Sequence, residues 1–170
     1  KGRWQAQCLG RALAKEPIAA IYTSDLLRAL ATAQAISEQS CSASARPPRL
    51  HTGLRERGFG IFAGQTYAQI AIDWPQEFRR WHARDPHFTP QGGESLLQVH
   101  ARVSDAVHQL ASQHPGEQIV LVAHGGVMDV LYRMATGQPI EAPRNWQLGN
   151  AAINRLLWTE QALTLVEWSD

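Results

Sequence analysis

The sequence has few cysteines, no long apolar run and no excess of either charge. Only two cysteines occur among 170 residues, Cys8 in a helical pattern and Cys41 in a Ser/Ala-rich stretch, and this excludes a disulfide framework and a cysteine metal site. No apolar run reaches the roughly 18 residues of a membrane span, and the first residues, KGRWQAQ, contain no signal-peptide core. These absences predict a cytoplasmic protein in a reducing compartment.

The net charge and the spacing of the histidines indicate which classes of partner and cofactor to expect. The formal net charge is +1 and the basic residues are scattered, so we expect no nucleic acid and no membrane as a partner. This charge distribution is still compatible with a small anionic ligand bound at one site. The histidines lack HExxH or related metal-binding spacing, so the sequence predicts no metal and no cofactor. A homodimer is left open.

The pattern along the chain is typical of one α/β domain over residues 1–170. Apolar, β-branched strands are predicted at residues 18–24 and 118–123, each followed by a helix, with two further strands after residue 150. Alternation of strands and helices predicts an α/β sandwich with a mainly parallel central sheet. Ser24 or Asp25 is expected to cap the second helix, Ser95 a later helix, and Pro75 to interrupt a helical stretch.

Two candidate site residues follow the two predicted strands. Arg28 lies about one turn after the first strand, and His124 directly follows the second and precedes Gly125 and Gly126. Because the carboxyl ends of neighbouring parallel strands meet at one edge of a sheet, both side chains are expected to converge beside the N–H groups that begin the next helices. The glycines carry no Cβ and leave room for a ligand, so Gly125 is predicted to bind substrate. The pattern predicts an anion site.

Glu56 is a third candidate, in the glycine-bearing stretch LRERGFG. A carboxyl group held near a bound anion keeps its proton more readily, so Glu56 is predicted to act as a general acid. Each residue also has a purely structural interpretation: Arg28 as a solvated side chain, Glu56 as a surface ion pair and His124 as a packing residue. The functional interpretation depends on the three occurring together, and together they suggest phosphoryl transfer.

Four segments in order carry a resemblance to a known family: IYTSDLLRALATA, LRERGFGIFAG, GGES and LVAHGG. The chain resembles the histidine phosphatase superfamily, which includes cofactor-dependent phosphoglycerate mutases and many small phosphatases, along essentially its whole length. The resemblance implies a three-layer α/β/α sandwich. It also implies that Arg28 clamps the phosphate, Glu56 donates a proton to the leaving group and His124 is the second histidine of the pocket.

One motif of that family does not occur in this sequence. Members of the family that this chain resembles have a first strand ending in Arg-His-Gly, and the histidine of that triplet accepts the phosphoryl group. No Arg-His-Gly triplet is found in this sequence. Helical spacing starts at the very first residues, so the natural N-terminus, with the first strand and nucleophile, is expected to lie upstream. The competing explanation is a naturally truncated, inactive homologue.

The sequence thus predicts a histidine-type acid or neutral phosphatase that hydrolyses a small phosphorylated substrate through a phosphohistidine, with the nucleophile outside this chain. The truncated chain alone is expected to be inactive. Two alternatives remain open, a cofactor-dependent phosphoglycerate mutase and a catalytically inactive module that binds a phospho-ligand. The short stretch between FGIFAG and GGES favours the phosphatase, because mutases resembling this family carry a longer insertion there.

Overall fold

The computed structural model describes residues 2–42, 45 and 47–168, and this part of the chain forms six α-helices and five strands. The helices are α1 (Gly2–Leu13), α2 (Leu27–Gln39), α3 (Tyr67–Asp73), α4 (Pro75–His82), α5 (Leu96–Ala111) and α6 (Gly125–Thr136). The strands are β1 (Ile18–Thr23), β2 (Arg49–Leu50), β3 (Gln118–Val122), β4 (Arg155–Trp158) and β5 (Leu163–Glu167).

The central sheet has the order β2-β1-β3, and both pairs of neighbouring strands are parallel. The register pairs Thr23 with Val122, so β1 and β3 end side by side. The second sheet is the antiparallel pair β4 and β5. The predicted α/β fold with a parallel central sheet is confirmed. The pairing of β1 with β3 also brings the two segments that carry Arg28 and His124 to the same edge.

Helices cover both faces of the central sheet. Alternate residues of β3 point to opposite sides: Val120 and Val122 pack with α1 and α2, whereas Leu121 packs with α5 and α6. Burial of aliphatic side chains is the main favourable contribution to such a core. The buried residues of the first layer are Leu13, Ile18, Ile21, Ala33, Ile36 and Ala45, and those of the second layer are Val99, Val103, Val107, Val127, Val130 and Leu131.

The predicted helix boundaries are right in two cases and wrong in one. Ser95 caps α5 through a capping box with Gln98, and Pro75 begins α4 immediately after α3 ends. The N-cap position of α2 is Leu26, which makes no side-chain cap bond, so the prediction that Ser24 or Asp25 caps this helix is wrong. Ser24 lies fully buried directly after β1 and hydrogen-bonds to His124 instead.

Two smaller features complete the comparison with the sequence. Strand β2 is only two residues long, Arg49–Leu50, because the chain turns into a 3₁₀ helix at Thr52–Leu54. The predicted closing pair of strands is confirmed as β4 and β5. Among the described residues, none of the helices combines the length and the apolar character that crossing a membrane requires.

Candidate active site

The predicted site residues all line one groove. It has a volume of about 1610 Å³ and runs along β3, between α1 and α2 on one side and residues 148–157 on the other. Arg28, Glu56, His124 and Gly125 border it. His124 and Gly125 directly follow β3, so the groove reaches the carboxyl end of the strand, where α/β sheets bind their ligands. The convergence expected from the sequence is therefore present, while the catalytic roles of these residues stay predictions.

His124 is held by Ser24, the residue that directly follows strand β1. Its Nε2 lies 2.6 Å from the Oγ of Ser24, and both residues are buried. Ser24 Oγ also accepts a hydrogen bond from the backbone N–H of Leu26 at 3.3 Å. The buried hydroxyl hydrogen of Ser24 needs an acceptor, and we assign Nε2 of His124 as that acceptor. The single ring proton of the neutral imidazole is then on Nδ1. In that tautomer His124 can offer an N–H to a ligand.

Glu56 is fixed at the N-terminus of α6. Its Oε1 accepts the backbone N–H of Gly126 at 3.0 Å and that of Arg57 at 2.8 Å, while Oε2 is 3.3 Å from the same Gly126 nitrogen. A carboxylate is well placed there, because the first N–H groups of a helix have no partner within the helix and carry partial positive charge. Gly126 allows this approach, since a Cβ at this position would lie 2.3 Å from Oε1. The absence of a side chain at Gly126 thus positions Glu56.

The loop that carries Glu56 is clamped from outside by Glu94 and Arg102. Arg102 donates two hydrogen bonds to the carboxylate of Glu94, at 2.9 and 2.8 Å, and others to the carbonyls of Gly53 and Arg55 at 2.9 Å. Glu94 in turn accepts the N–H of Gly58 at 2.8 Å. Burial raises the pKa of Glu94, but these donors outweigh it and lower the pKa below its ordinary value. Bidentate arginine pairs of this kind fix geometry well.

Arg28 supplies positive charge near His124. It is the second residue of α2, and its side chain is exposed at the border of the groove. Burial lowers the pKa of His124, the charge of Arg28 lowers it further, and Glu56 opposes this shift. The imidazole is therefore kept neutral near pH 7, which agrees with the hydrogen bond from Ser24.

Removing the charge of Arg28 is expected to raise the pKa of His124. In Arg28→Gln the second cause of the lowered pKa disappears, but burial remains, so the new value should lie between that of the wild type and the ordinary 6.5. NMR titration of the imidazole ring protons measures this. Arg79→Gln, an exposed change on α4 that removes the same charge, should leave the titration unchanged. An unchanged or lower pKa in Arg28→Gln would contradict this electrostatic account.

A second polar cluster beside the site was not anticipated from the sequence. Asp129 lies one turn along α6 from Gly126 and is buried, and its carboxylate accepts hydrogen bonds from Arg84 at 2.8 Å, Arg133 at 3.1 Å and Arg144 at 3.1 Å. Burial raises the pKa of Asp129, yet the three guanidinium groups outweigh this and lower it. The cluster joins α6 to the segment after α4 and to the loop before β4. Among the described residues, no group of His, Cys, Asp and Glu could hold a metal ion.

Comparison with known proteins identifies the family. The chain matches the histidine phosphatase superfamily (branch 1) over residues 1–170. It is 34% identical to glucosyl-3-phosphoglycerate phosphatase of Mycolicibacterium vanbaalenii, over 89% of this chain and 68% of that protein. It is 37% identical over 136 residues to phosphoglycerate mutase-like protein 4 of Arabidopsis thaliana, which covers 79% of this chain but 58% of that protein. The chain belongs to the histidine phosphatase superfamily, and the predicted resemblance is confirmed.

Further relatives support the same assignment. Metal-independent phosphoserine phosphatase of Arabidopsis thaliana is 32% identical, over 99% of this chain and 69% of that protein. YhfR of Bacillus stearothermophilus has a solved structure that superposes with a TM-score of 0.86 at 27% identity, over 99% of this chain and 82% of that one. A mycobacterial glucosyl-3-phosphoglycerate phosphatase in complex with inorganic phosphate gives a TM-score of 0.80 at 33% identity, over 99% and 84% of the two chains. Several relatives are thus named phosphatases, which supports phosphatase activity in general.

Proposed function

We propose that this chain is part of a phosphatase that hydrolyses a small phosphomonoester through a phosphohistidine intermediate. The observation that carries the proposal is the convergence of Arg28, Glu56 and His124 on one groove at the N-terminus of α6. A guanidinium group, a neutral imidazole N–H and a helix N-terminus are all donors for phosphate oxygens. The carboxyl group beside them supplies a proton-transfer group. Likeness to proteins named phosphatases supports the same reaction.

The proposed reaction has two displacements. A histidine nitrogen forms a bond to phosphorus while the ester P–O bond breaks, and Glu56 gives its proton to the departing alkoxide. Glu56 then takes a proton from a water molecule, which attacks phosphorus, breaks the P–N bond and releases phosphate. Arg28 and the Nδ1–H of His124 stabilise the charge on the transferring group in both steps.

The phosphoryl acceptor is proposed to lie outside these 170 residues. His124 is the one histidine among the described groove residues, and its Nε2 is occupied by Ser24. We therefore assign it to charge stabilisation and not to nucleophilic attack. On this proposal the 170-residue chain alone binds phosphate without turnover, and the full-length protein hydrolyses esters. Comparing the two forms with one phosphomonoester tests this directly, and turnover by the 170-residue chain would contradict it.

Glu56→Gln in the full-length protein is expected to slow the hydrolysis of esters with poor leaving groups much more than that of esters with good leaving groups. The amide cannot protonate the alkoxide, so hydrolysis of an alkyl phosphate should fall by about 10²–10⁴-fold. The p-nitrophenolate ion needs little protonation, so p-nitrophenyl phosphate should lose far less. Steady-state phosphate release with the two esters measures the difference. Equal losses on both would remove Glu56 from the role of proton donor.

A phosphoglycerate mutase is the second candidate, favoured by likeness to phosphoglycerate mutase-like protein 4. The same pocket groups would then return the phosphoryl group to the second hydroxyl of the substrate instead of to water. Incubation of the full-length protein with 3-phosphoglycerate distinguishes the reactions. Release of free phosphate supports the phosphatase, whereas 2-phosphoglycerate with little free phosphate supports the mutase.

A further inference from the structure

The segment GGES, residues 92–95, contributes no group to the proposed reaction but is bound to the loop that carries Glu56. Residues 55–58 of this loop form no helix or strand, so contacts with other segments fix their position. The backbone N–H of Glu94 donates to the carbonyl oxygen of Gly58 at 2.8 Å, and the carboxylate of Glu94 accepts the N–H of Gly58 at 2.8 Å. Two reciprocal bonds thus hold the backbone just after Glu56.

Gly93 permits this close approach of the two segments. A Cβ at this position would lie 2.6 Å from the carbonyl oxygen of Gly58, a backbone atom that cannot turn aside as the end of a side chain can. Ser95 caps α5 and so begins the helix that carries Arg102. The glycine allows the contact, the glutamate makes it, and the serine starts the helix behind it.

Arg102 extends the contact to the other side of Glu56. It donates to both carboxylate oxygens of Glu94, at 2.9 and 2.8 Å. Its Nη1 also donates to the carbonyl oxygens of Gly53 and Arg55, both at 2.9 Å. Arg55 directly precedes Glu56 in the chain. The ion pair of Glu94 and Arg102 therefore holds the backbone before Glu56 as well as after it.

The ion pair does not lie where the substrate is expected to bind. Among the described residues that border the groove of the proposed site, neither Glu94 nor Arg102 occurs. Their side chains are 28% and 23% exposed, so solvent screens the pair only in part. Burial raises the pKa of Glu94, but the hydrogen bonds that it accepts outweigh this, and the carboxylate stays charged at neutral pH. Any effect of the pair on the reaction must then pass through Glu56.

We propose that Glu94 and Arg102 form a positioning pair for Glu56. This rests on the proposed phosphatase function, in which Glu56 protonates the departing alkoxide. The carboxyl group of Glu56 can reach that oxygen only from a suitably placed backbone, and the pair fixes this backbone on both sides. Displacement of a reacting group by about 1 Å can slow a reaction by about 10²-fold. Loss of the pair should slow the protonation and leave binding of the phosphoryl group intact.

Glu94→Gln in the full-length protein tests the pair. The amide keeps the size of the side chain, but an NH₂ group replaces an oxygen that accepts from Arg102 or Gly58, so at least one bond is lost. The kcat for an alkyl phosphate is expected to fall by about tenfold or more, with KM changed by less than about twofold. p-Nitrophenyl phosphate should lose far less, because its leaving group needs little protonation. Glu160→Gln, an exposed change between β4 and β5, should leave both rates unchanged.

Two variants of Arg102 show whether the cation is required. Arg102→Lys keeps a positive charge beside Glu94, but an ammonium group cannot reproduce the planar set of bonds that a guanidinium group makes. It should therefore retain part of the alkyl phosphate activity, whereas Arg102→Met should lose as much as Glu94→Gln. Adding Glu94→Gln to Glu56→Gln should cost nothing further, because the pair acts through the group already removed. Equal activity of the lysine and methionine variants, or a further loss in the double variant, would contradict the positioning role.

Amide hydrogen exchange at Gly126 tests the pair without turnover. In the described part of the chain, the N–H of Gly126 has no partner within α6 and binds only the carboxylate of Glu56, so its exchange rate depends on where that carboxylate lies. NMR should show faster exchange in Glu94→Gln and no change in Glu160→Gln. Faster exchange in a full-length protein that releases no phosphate would support the pair and contradict the phosphatase. Unchanged exchange, or equal losses of rate with the two esters, would overturn the pair.

Discussion

Asp129→Asn is expected to lower the free energy of unfolding by about 3–5 kcal/mol, because it leaves buried guanidinium groups without their counter-charge. Arg133 is the most affected, since its side chain is 1% exposed and pairs with Asp129 within α6. The asparagine keeps the shape and one acceptor, so the loss reflects charge more than packing. Urea unfolding of both proteins at pH 7 measures the difference.

The matched control is Asp85→Asn, which removes a carboxylate from an ion pair with Arg80 that is accessible to solvent. Solvent screens such pairs, so the control should lose much less stability than Asp129→Asn. Similar losses of unfolding free energy in the two variants would show that the buried Asp129 cluster stabilises the fold no more than a solvent-accessible ion pair does.

The effect of Asp129 on stability should also depend on pH. Its pKa is lowered in the folded protein below the ordinary 3.8, so the unfolded chain binds this proton more readily than the native one. The stabilisation is fully present above the unfolded pKa and is lost as the pH falls through the lower, folded pKa. The difference between the wild type and Asp129→Asn should therefore be constant near neutral pH and shrink in strong acid.

The sequence predicted the elements that follow from local patterns. β-Branched runs gave β1 and β3, and the rule that ligands bind at the carboxyl ends of parallel strands placed Arg28 and His124 at a common edge. These predictions needed only the order of elements along the chain. They did not require knowledge of which side chains touch.

Contacts between distant segments could not be predicted in the same way. Ser24 was predicted as a helix cap from its local position, yet its hydroxyl bonds to His124, 100 residues away. The Asp129 cluster joins arginines from three parts of the chain, and each arginine alone looks like an ordinary surface residue. Such networks are selected by three-dimensional complementarity, and a single sequence carries no periodic signal for them.

Gly126 shows how local sequence and distant contact combine at this site. The Gly-Gly pair was predicted to make room for a ligand, and the structure shows that Gly126 also makes room for the carboxylate of Glu56, 70 residues earlier in the chain. The N–H of Gly126 and its missing side chain act together: one binds the carboxylate and the other permits the approach.

Gly126→Ala is therefore expected to disable Glu56 with little loss of stability. The new Cβ would lie 2.3 Å from Oε1, so the flexible end of Glu56 must move, whereas alanine itself suits a helix better than glycine by up to about 1 kcal/mol. Hydrolysis of an alkyl phosphate by the full-length protein should fall by about 10²–10⁴-fold, as in Glu56→Gln. Urea unfolding should show a midpoint close to that of the wild type.

The double variant Gly126→Ala/Glu56→Gln decides whether the two residues act through the same group. If the alanine works only by displacing the Glu56 carboxylate, adding it to Glu56→Gln should cost nothing further in alkyl phosphate hydrolysis, and the two single losses will be strongly non-additive. If the fold-losses in hydrolysis of the two single variants multiply in the double variant, Gly126 acts directly on the phosphoryl group, and its role in holding Glu56 is secondary.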